Sequence, residues 1–318
     1  MSAAPQPPVR IGTRASKLAL TQSGMVQRQI AAALGAPEDK ADEVAPLVRI
    51  TTTGDRVQDR RLLEIGGKVL FTKEIEDALL AGRIDCAVHS LKDMPAELPP
   101  GLVIGAIPAR EDPRDVFISH KASSLAGLPQ RAVLGSASLR RQAQALFQRP
   151  DLTLVTFRGN VDTRLAKLEA GQADATMLAL AGLARLGLAH LATAILDPVE
   201  HPPAPGQGAL AIEVRAEDVD APWLAALRHR PSTLAVAAER GALAALEGSC
   251  KTAIGAHATL SGARLSLIVE ALTPDGARRF RQAGETDVGG ADGEGQARDL
   301  GMRLGDAVCA EGGSALIL

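Results

Sequence analysis

The sequence predicts an α/β fold with two lobes of similar plan, joined by a double hinge and followed by a small third domain. In the first half of the 318 residues, short apolar runs alternate with helical patterns. The order strand, Gly-Thr or Gly-Ser, helix occurs twice, in VRIGTRASKLALTQ and AVLGSASLRRQAQALF. Two proline-rich joints, at 108–113 and 201–206, indicate that the chain leaves the first lobe, builds the second and returns.

In the first lobe, apolar runs predict strands and two helices that end at glycine. On the second helix, Ile75, Ala78 and Leu79 share one face. The strands are expected at 8–12, 47–51, 84–88, 102–107 and, after the return, 209–215, and the helices at 15–34 and 71–81. The predicted extent of this lobe is 1–107 with 208–228.

The second lobe is expected over 112–202, with a strand that begins at residue 132, strands at 152–157 and 175–180, and a helix that ends at Gly171. The third domain, 230–318, begins with a helix at 232–246 and ends with one at 295–310. Between them, strand-like runs at 253–259, 264–271 and 278–283 predict a three-stranded antiparallel sheet, with PDG as a turn.

Composition excludes several classes of protein. The 35 Lys and Arg nearly balance the 37 Asp and Glu, which argues against a nucleic-acid binder acting through a basic surface. Three cysteines without paired spacing argue against a disulfide framework. The start, MSAAPQPPVR, lacks the apolar region of a secretory signal, and no uninterrupted apolar run has membrane-spanning length. We therefore expect a cytoplasmic protein, and nothing demands more than a monomer.

Basic residues stand at three predicted helix starts. Cations at the positive end of a helix dipole cost about 0.3–1 kcal/mol each, whereas anions are favoured there. A single arginine there is most simply a solvated surface charge. The set occupies equivalent points in both lobes, directly after strand ends. It therefore predicts a cleft lined by these cations, in which anions bind. Its members are Arg14 with Lys17, Arg140 and Arg141, and Arg158 and Arg164.

Asp93 follows the strand IDCAV in the stretch HSLKDMP, which places it at the expected mouth of the cleft. Lys92 beside it favours the ionised carboxylate, and such a group suits acid–base work or stabilisation of a developing positive charge. A turn-forming aspartate is an equal alternative. His89 is a further catalytic candidate, although a histidine that closes a strand is more often structural. The spacing Cys86-x-x-His89 lacks a second ligand pair, so no metal is expected.

Cys250 lies in the small-residue stretch LEGSCKTAIG, directly before Lys251. A neighbouring ammonium lowers a thiol's pKa, which suits a nucleophile or an attachment point. An inert loop thiol remains the alternative. Cys86 and Cys309 fall in apolar patterns and are expected in the core. The glycine-rich stretch EIGGKVLFTKE at 64–74 lacks the pattern of a phosphate-binding loop and is expected to be mobile near the cleft.

Eight stretches, in order, resemble the porphobilinogen deaminase family: GTRASKLAL, VHSLKDMP, EDPRDVF, GSASLRRQ, RGNVDTRLAKL, AGLARLGL, PPAPGQGALAIE and LEGSCKTAIG. The resemblance implies three domains, of which the first two are similar to periplasmic binding proteins. It also implies a dipyrromethane cofactor, built from two substrate molecules and attached covalently through Cys250 by a thioether.

The implied reaction condenses four porphobilinogen molecules head to tail into hydroxymethylbilane and releases ammonia. Asp93 matches the family's catalytic aspartate. Cofactor-binding positions carry over to Asp55, Ser90, Lys92, Ser138, Arg140 and Arg141. Substrate-binding positions carry over to Arg14, Ser16, Lys68, Phe71, Arg158, Arg164 and Arg185. The sequence departs from the family at Glu64, at Val69 and in KTAIG after the cysteine.

Two functions compete at this point. One is the enzyme just described, and the other is a two-lobed anion-binding protein without chemistry, which the fold, hinge and arginines would serve equally. Cys250 together with Asp93 favours the enzyme, because a binding protein needs neither.

Overall fold

The computed structural model describes residues 7–56, 72–247 and 253–316. The chain divides into two compact units: Met1–Arg110 with Ala209–His229, and Glu111–Gly208 with Arg230–Leu318. The chain therefore passes between units at 110/111, 208/209 and 229/230. No helix among the described residues has the length and apolar character needed to cross a bilayer.

The strands are β1 (Ile11–Thr13), β2 (Leu47–Arg49), β3 (Cys86–Ser90), β4 (Leu102–Ala106), β5 (Asp115–Ser119), β6 (Val133–Gly135), β7 (Thr153–Val155), β8 (Ala175–Ala179), β9 (Ala194–Ile195), β10 (Leu210–Arg215), β11 (Ala253–Ser261), β12 (Arg264–Leu272) and β13 (Arg279–Asp287). The α-helices are α1 (Lys17–Ala33), α2 (Ala41–Val44), α3 (Thr53–Arg56), α4 (Lys73–Leu80), α5 (Leu139–Gln148), α6 (Val161–Glu169), α7 (Leu180–Arg185), α8 (Pro222–Ala225), α9 (Arg230–Glu247) and α10 (Gly293–Gly312).

Each unit contains a five-stranded sheet of the same topology. The order is β2-β1-β3-β10-β4 in the first unit and β7-β6-β8-β5-β9 in the second. In both sheets the first three strands run parallel and the fourth runs antiparallel to its neighbours. The antiparallel strand, β10 or β5, is the first that the chain forms after entering that unit. The predicted pair of α/β lobes with one plan is confirmed.

The second unit also holds the three-stranded antiparallel sheet β11-β12-β13, as predicted. Gly276, with φ of +69°, makes the turn between β12 and β13. Strand β13 extends beyond the predicted end at 283, to Asp287, and all nine of its residues pair with β12. Its outer side chains are polar, so the last residues do not form an apolar run in the sequence.

Strand β5 is absent from the strands predicted above. Its five residues, DVFIS, are all buried, so they show no alternation of polar and apolar side chains. The first residue, Asp115, is charged and follows a proline-rich joint, so the sequence pattern indicates a loop rather than a strand. Short elements α7 and β9 were also not predicted.

The apolar residues fill both faces of each five-stranded sheet. In the first unit, α1 covers one face through Val26 and Ile30, and α4 covers the other through Ile75 and Leu79. The predicted apolar face of α4 is therefore confirmed. Because α1 and α4 fix the two faces, the loops after β1 and β3 come together at the carboxyl edge of the sheet.

Candidate active site

A cavity of about 70 Å³ lies in the first unit at the carboxyl ends of β1 and β3. The residues that line it come from the start of α1, from the end of β3 and from the turn after β3. They are Arg14, Ser16, Leu18, Ala19, Gln22, Thr72, Val88, His89, Ser90 and Asp93. The structure thus brings together four residues singled out from the sequence: Arg14, Ser16, Ser90 and Asp93.

Local hydrogen bonds fix the serines of this cavity. Ser16 is the N-cap of α1, and its hydroxyl accepts a hydrogen bond from the Ala19 backbone N–H at 3.3 Å. Ser90 ends β3, and its hydroxyl accepts a hydrogen bond from the Gln22 side-chain amide at 2.9 Å. Gln22 was not singled out from the sequence. Its contact with Ser90 joins residues 68 apart in the sequence, so no local spacing identifies it.

Asp93 closes a single 3₁₀ turn, Leu91–Asp93, directly after β3. Its neighbours Leu91 and Met94 are fully buried, whereas Asp93 is exposed. The turn is therefore anchored by apolar side chains while the carboxylate is presented to the cavity. Lys92, in the same turn, is half-buried.

Thr72, another cavity residue, was not assigned a site role from the sequence, and His89 was named only as a further catalytic candidate. Thr72 precedes α4 and is buried. The structure places His89 both at the cavity wall and against the buried carboxylate of Glu213, with 3.0 Å between Nε2 and Oε2.

In the second unit, Arg140 and Arg141 occupy the first turn of α5, as expected, but both are buried. Asp115, which is 1% exposed, accepts hydrogen bonds from Arg140 at 2.7 Å and from Arg141 at 2.8 Å. The two guanidinium groups hold the pKa of Asp115 far below its usual range, against the opposing effect of burial. The sequence predicted that Arg140 and Arg141 line an open cleft. In the structure they instead form a buried cluster in which one carboxylate pairs with two cations.

The cluster extends to the three-stranded sheet. Gln144 donates to Glu270 at 2.7 Å, and Glu270 accepts a hydrogen bond from Arg281 at 2.6 Å. Gln207, directly after the second proline-rich joint, donates to Asp115 at 2.8 Å. The arginines at the start of α5 are therefore held from several elements at once, so their positions are rigidly determined.

The remaining predicted arginines lie at three points of the second unit. Arg164 donates from Nε to the Gly159 carbonyl at 3.0 Å. Arg158 Nη1 and Arg185 Nε are buried and have no hydrogen-bond partner among the described residues, and the same holds for Arg140 Nε. Burial lowers the pKa of Arg185, while the negative charge of Glu111 opposes this. Buried guanidinium nitrogens without partners are costly, and an anionic ligand would satisfy them.

Ser138 is the N-cap of α5, where its hydroxyl accepts a hydrogen bond from the Arg141 backbone N–H at 3.4 Å. Asp55 lies within α3, but its side chain is outside the described residues, as are Lys68, Phe71, Glu64, Val69 and Cys250. Cys86 is buried, and burial raises the pKa of its thiol. Among the described side chains, no group of three or more His, Cys, Asp or Glu is placed to hold a metal ion.

Solved structures similar to the chain include the periplasmic VFT2 domain of BvgS from Bordetella pertussis. That match has 13% identity and a TM-score of 0.40, and covers 69% of this chain and 86% of that one. The ligand-binding component of an ABC-type import system from Staphylococcus aureus matches with 14% identity and a TM-score of 0.37, over 75% of this chain and 74% of that one.

Two family models match nearly the whole sequence. "Porphobilinogen deaminase, dipyromethane cofactor binding domain" matches residues 9–222, and "Porphobilinogen deaminase, C-terminal domain" matches residues 233–310. Curated relatives named porphobilinogen deaminase include proteins of Caulobacter vibrioides strain NA1000 / CB15N, 67% identical over 98% of both chains, and of Caulobacter sp. strain K31, 68% identical over 98% of both chains. With the cavity and its motif residues in place, the chain belongs to the porphobilinogen deaminase family.

Proposed function

We propose that the chain is a hydroxymethylbilane synthase, which condenses four porphobilinogen molecules head to tail and releases ammonia, in tetrapyrrole biosynthesis. The convergence of Arg14, Ser16, Ser90 and Asp93 on one cavity carries the proposal. A cation, two hydroxyls and a carboxylate suit a substrate that bears acetate and propionate groups on a ring with an N–H donor.

Asp93 is proposed as the catalytic residue. Its carboxylate accepts hydrogen bonds from pyrrole N–H groups and stabilises the positive charge that develops on the ring when the carbon–nitrogen bond of the aminomethyl group breaks. The fixed turn between Leu91 and Met94 supports this role, because the carboxylate needs little reorganisation as that charge appears.

The arginines are proposed to bind the carboxylates of the substrate and of the growing chain. Arg14 serves in the first unit, and Arg158, Arg164 and Arg185 serve in the second. The buried nitrogens of Arg158 and Arg185 that have no partner in the described part of the chain support this role. Arg140 and Arg141 together keep a net charge of +1 after pairing with Asp115, and Arg140 Nε donates to no other described residue.

The cofactor is proposed to be a dipyrromethane attached through a thioether to Cys250. When bound, this group supplies the pyrrole carbon to which the first substrate unit is added. The same guanidinium nitrogens, without partners among the residues that the structure describes, fit a group that carries several carboxylates. Ser90, Lys92, Ser138 and Asp55 would bind or orient it, and Lys68 and Phe71 would border the substrate.

Three further proposals complete this assignment. Residues 230–318 form a separate domain that carries Cys250, beside lobes at 1–107 with 208–228 and at 112–202. The enzyme acts as a monomer. It works in the cytoplasm.

The test is turnover of porphobilinogen by the purified protein, with ammonia and the four-ring product measured together by mass spectrometry. We expect one ammonia for each porphobilinogen consumed. Asp93→Asn should lower kcat by about 10²–10³-fold, because the variant loses the charge opposite the developing cation. Asp299→Asn, on the exposed face of α10, is the matched control and should keep full turnover. Binding of porphobilinogen without release of ammonia would instead favour the anion-binding protein.

A further inference from the structure

A histidine–glutamate pair lies behind the cavity of the first unit. His89 on β3 is 6% exposed, Glu213 on β10 is fully buried, and 3.0 Å separates Nε2 from Oε2. The two strands are antiparallel neighbours in which Ala211 stands opposite His89 and Glu213 opposite Ala87. The two side chains therefore project from the same face of the sheet, two positions apart.

The sheet of the second unit shows what the fold itself requires at these positions. Gly12 pairs with Ala87 in the first sheet, as Gly135 pairs with Thr176 in the second. With these registers aligned, His89 corresponds to Leu178, and Glu213 corresponds to Ile118. Leu178 and Ile118 are buried together in an apolar cluster. The same sheet topology therefore forms with two apolar side chains at these positions. A buried ion pair gives no general gain in stability over such an apolar pair.

A second carboxyl, Glu76 of α4, is buried and interacts electrostatically with both Glu213 and His89. Burial raises the pKa of Glu76, and the negative charge of Glu213 adds to this, while the Thr72 hydroxyl and His89 oppose it. Glu213 is the carboxylate that His89 contacts, and the other ionisable groups around the cavity are Arg14 and Asp93.

We propose that His89 is a second proton-carrying group of the active site, and that Glu213 is the residue that positions it. A hydrogen bond from Nε2–H to Glu213 leaves Nδ1 of the neutral ring as an acceptor. His89 lines the cavity, and the proposal assigns this lone pair to water or substrate there. A buried carboxylate that fixes the tautomer of a histidine and stabilises its cation is an established arrangement for a general base.

This inference rests on the proposed function, which requires such a base. In each condensation the carbon–nitrogen bond of the aminomethyl group breaks, and its electron pair leaves with nitrogen as ammonia. A carbon–carbon bond forms to a ring carbon that still bears hydrogen. That hydrogen leaves as a proton, and its bonding electrons return to the ring. His89 Nδ1 accepts this proton, directly or through a cavity water, Glu213 stabilises the imidazolium, and the proton passes on to water.

The first measurement needs no turnover. In protein labelled with ¹⁵N-histidine, the His89 ring signals are identified by their loss in His89→Gln. We expect the neutral ring to carry its proton on Nε2, and Glu213→Gln to change that signal. A neutral ring protonated on Nδ1 would overturn the proposal, even if the protein did not turn over porphobilinogen. Absence of turnover in the unaltered protein would count against the proposed function instead.

The second measurement is the pH profile of kcat. His89→Gln should lower kcat by about 10²-fold or more and remove the acid limb of the profile. Glu213→Gln should move that limb to lower pH, because the imidazolium loses its stabilising charge. His120→Gln is the matched control, since His120 meets Glu169 at 2.8 Å on the exposed surface of the second unit, and it should keep the original profile.

A double variant separates a chemical role from a structural one. His89→Leu with Glu213→Ile copies the apolar pair of the second unit, so we expect it to fold, with circular dichroism and thermal unfolding close to those of the unaltered protein. Its kcat should fall as far as that of His89→Gln. A folded double variant with the original kcat and pH profile would show that the pair is only structural.

Discussion

At the scale of single residues, the buried charges of the second unit are the most demanding feature. Asp115 lies against two guanidinium groups, and all three side chains are at most 6% exposed. Removing one member of a buried ion cluster leaves the others without compensation, which costs far more than losing a surface pair. The sequence motif EDPRDVF contains Asp115, but the motif alone does not reveal this pairing, because its partners lie 25 and 26 residues away.

Asp115→Asn should therefore lower the free energy of unfolding by about 3–5 kcal/mol at pH 7, measured by urea unfolding. The folded-state pKa of Asp115 is depressed, so its contribution is present above the unfolded pKa of about 3.9. It is lost as the pH falls towards the folded-state value. The difference between the variant and the unaltered protein should thus shrink below about pH 4.

Asp151→Asn is the control for Asp115→Asn. Asp151 pairs with Arg149 at 2.7 Å in a part-buried, solvent-accessible setting, so its loss should matter much less. Equal urea midpoints for the two variants would contradict the buried-cluster account.

At the scale of elements, sequence periodicity predicted most strands and helices, because apolar spacing and terminal glycines are local signals. It missed β5, whose five buried residues lack alternation. It identified the helix starts that carry Arg14, Arg140 and Arg164, but not which guanidinium groups are buried. The contact between His89 and Glu213 spans 124 residues and depends on strand order, which no local pattern contains.

Close packing of α9 against α10 is a second element-scale feature. A Cβ atom at Gly301 would lie 1.9 Å from the Ala238 carbonyl oxygen, so the helices could not keep their spacing. Gly301→Ala should destabilise the protein by about 1–3 kcal/mol, seen as a lower Tm. Gly290→Ala is the control, since a Cβ there meets nothing within 4 Å. An unchanged Tm for Gly301→Ala would contradict this packing.

At the scale of the whole molecule, each unit contains a five-stranded sheet of the same topology. The first unit holds the cavity with Asp93, and the second holds arginines with buried nitrogens that have no partner among the described residues. The ordered motifs allowed the family to be predicted from sequence, since each motif is a local string. The division of charge required the structure, because burial and pairing follow from tertiary contacts.

We propose that this chain carries a covalent dipyrromethane on Cys250 and extends it with porphobilinogen. The most direct test is the intact mass of the denatured protein after incubation with porphobilinogen, beside Cys250→Ala. We predict an added mass of two linked pyrrole units, absent from the variant. A bare polypeptide mass for the unaltered protein, or the same adduct on Cys250→Ala, would contradict the account.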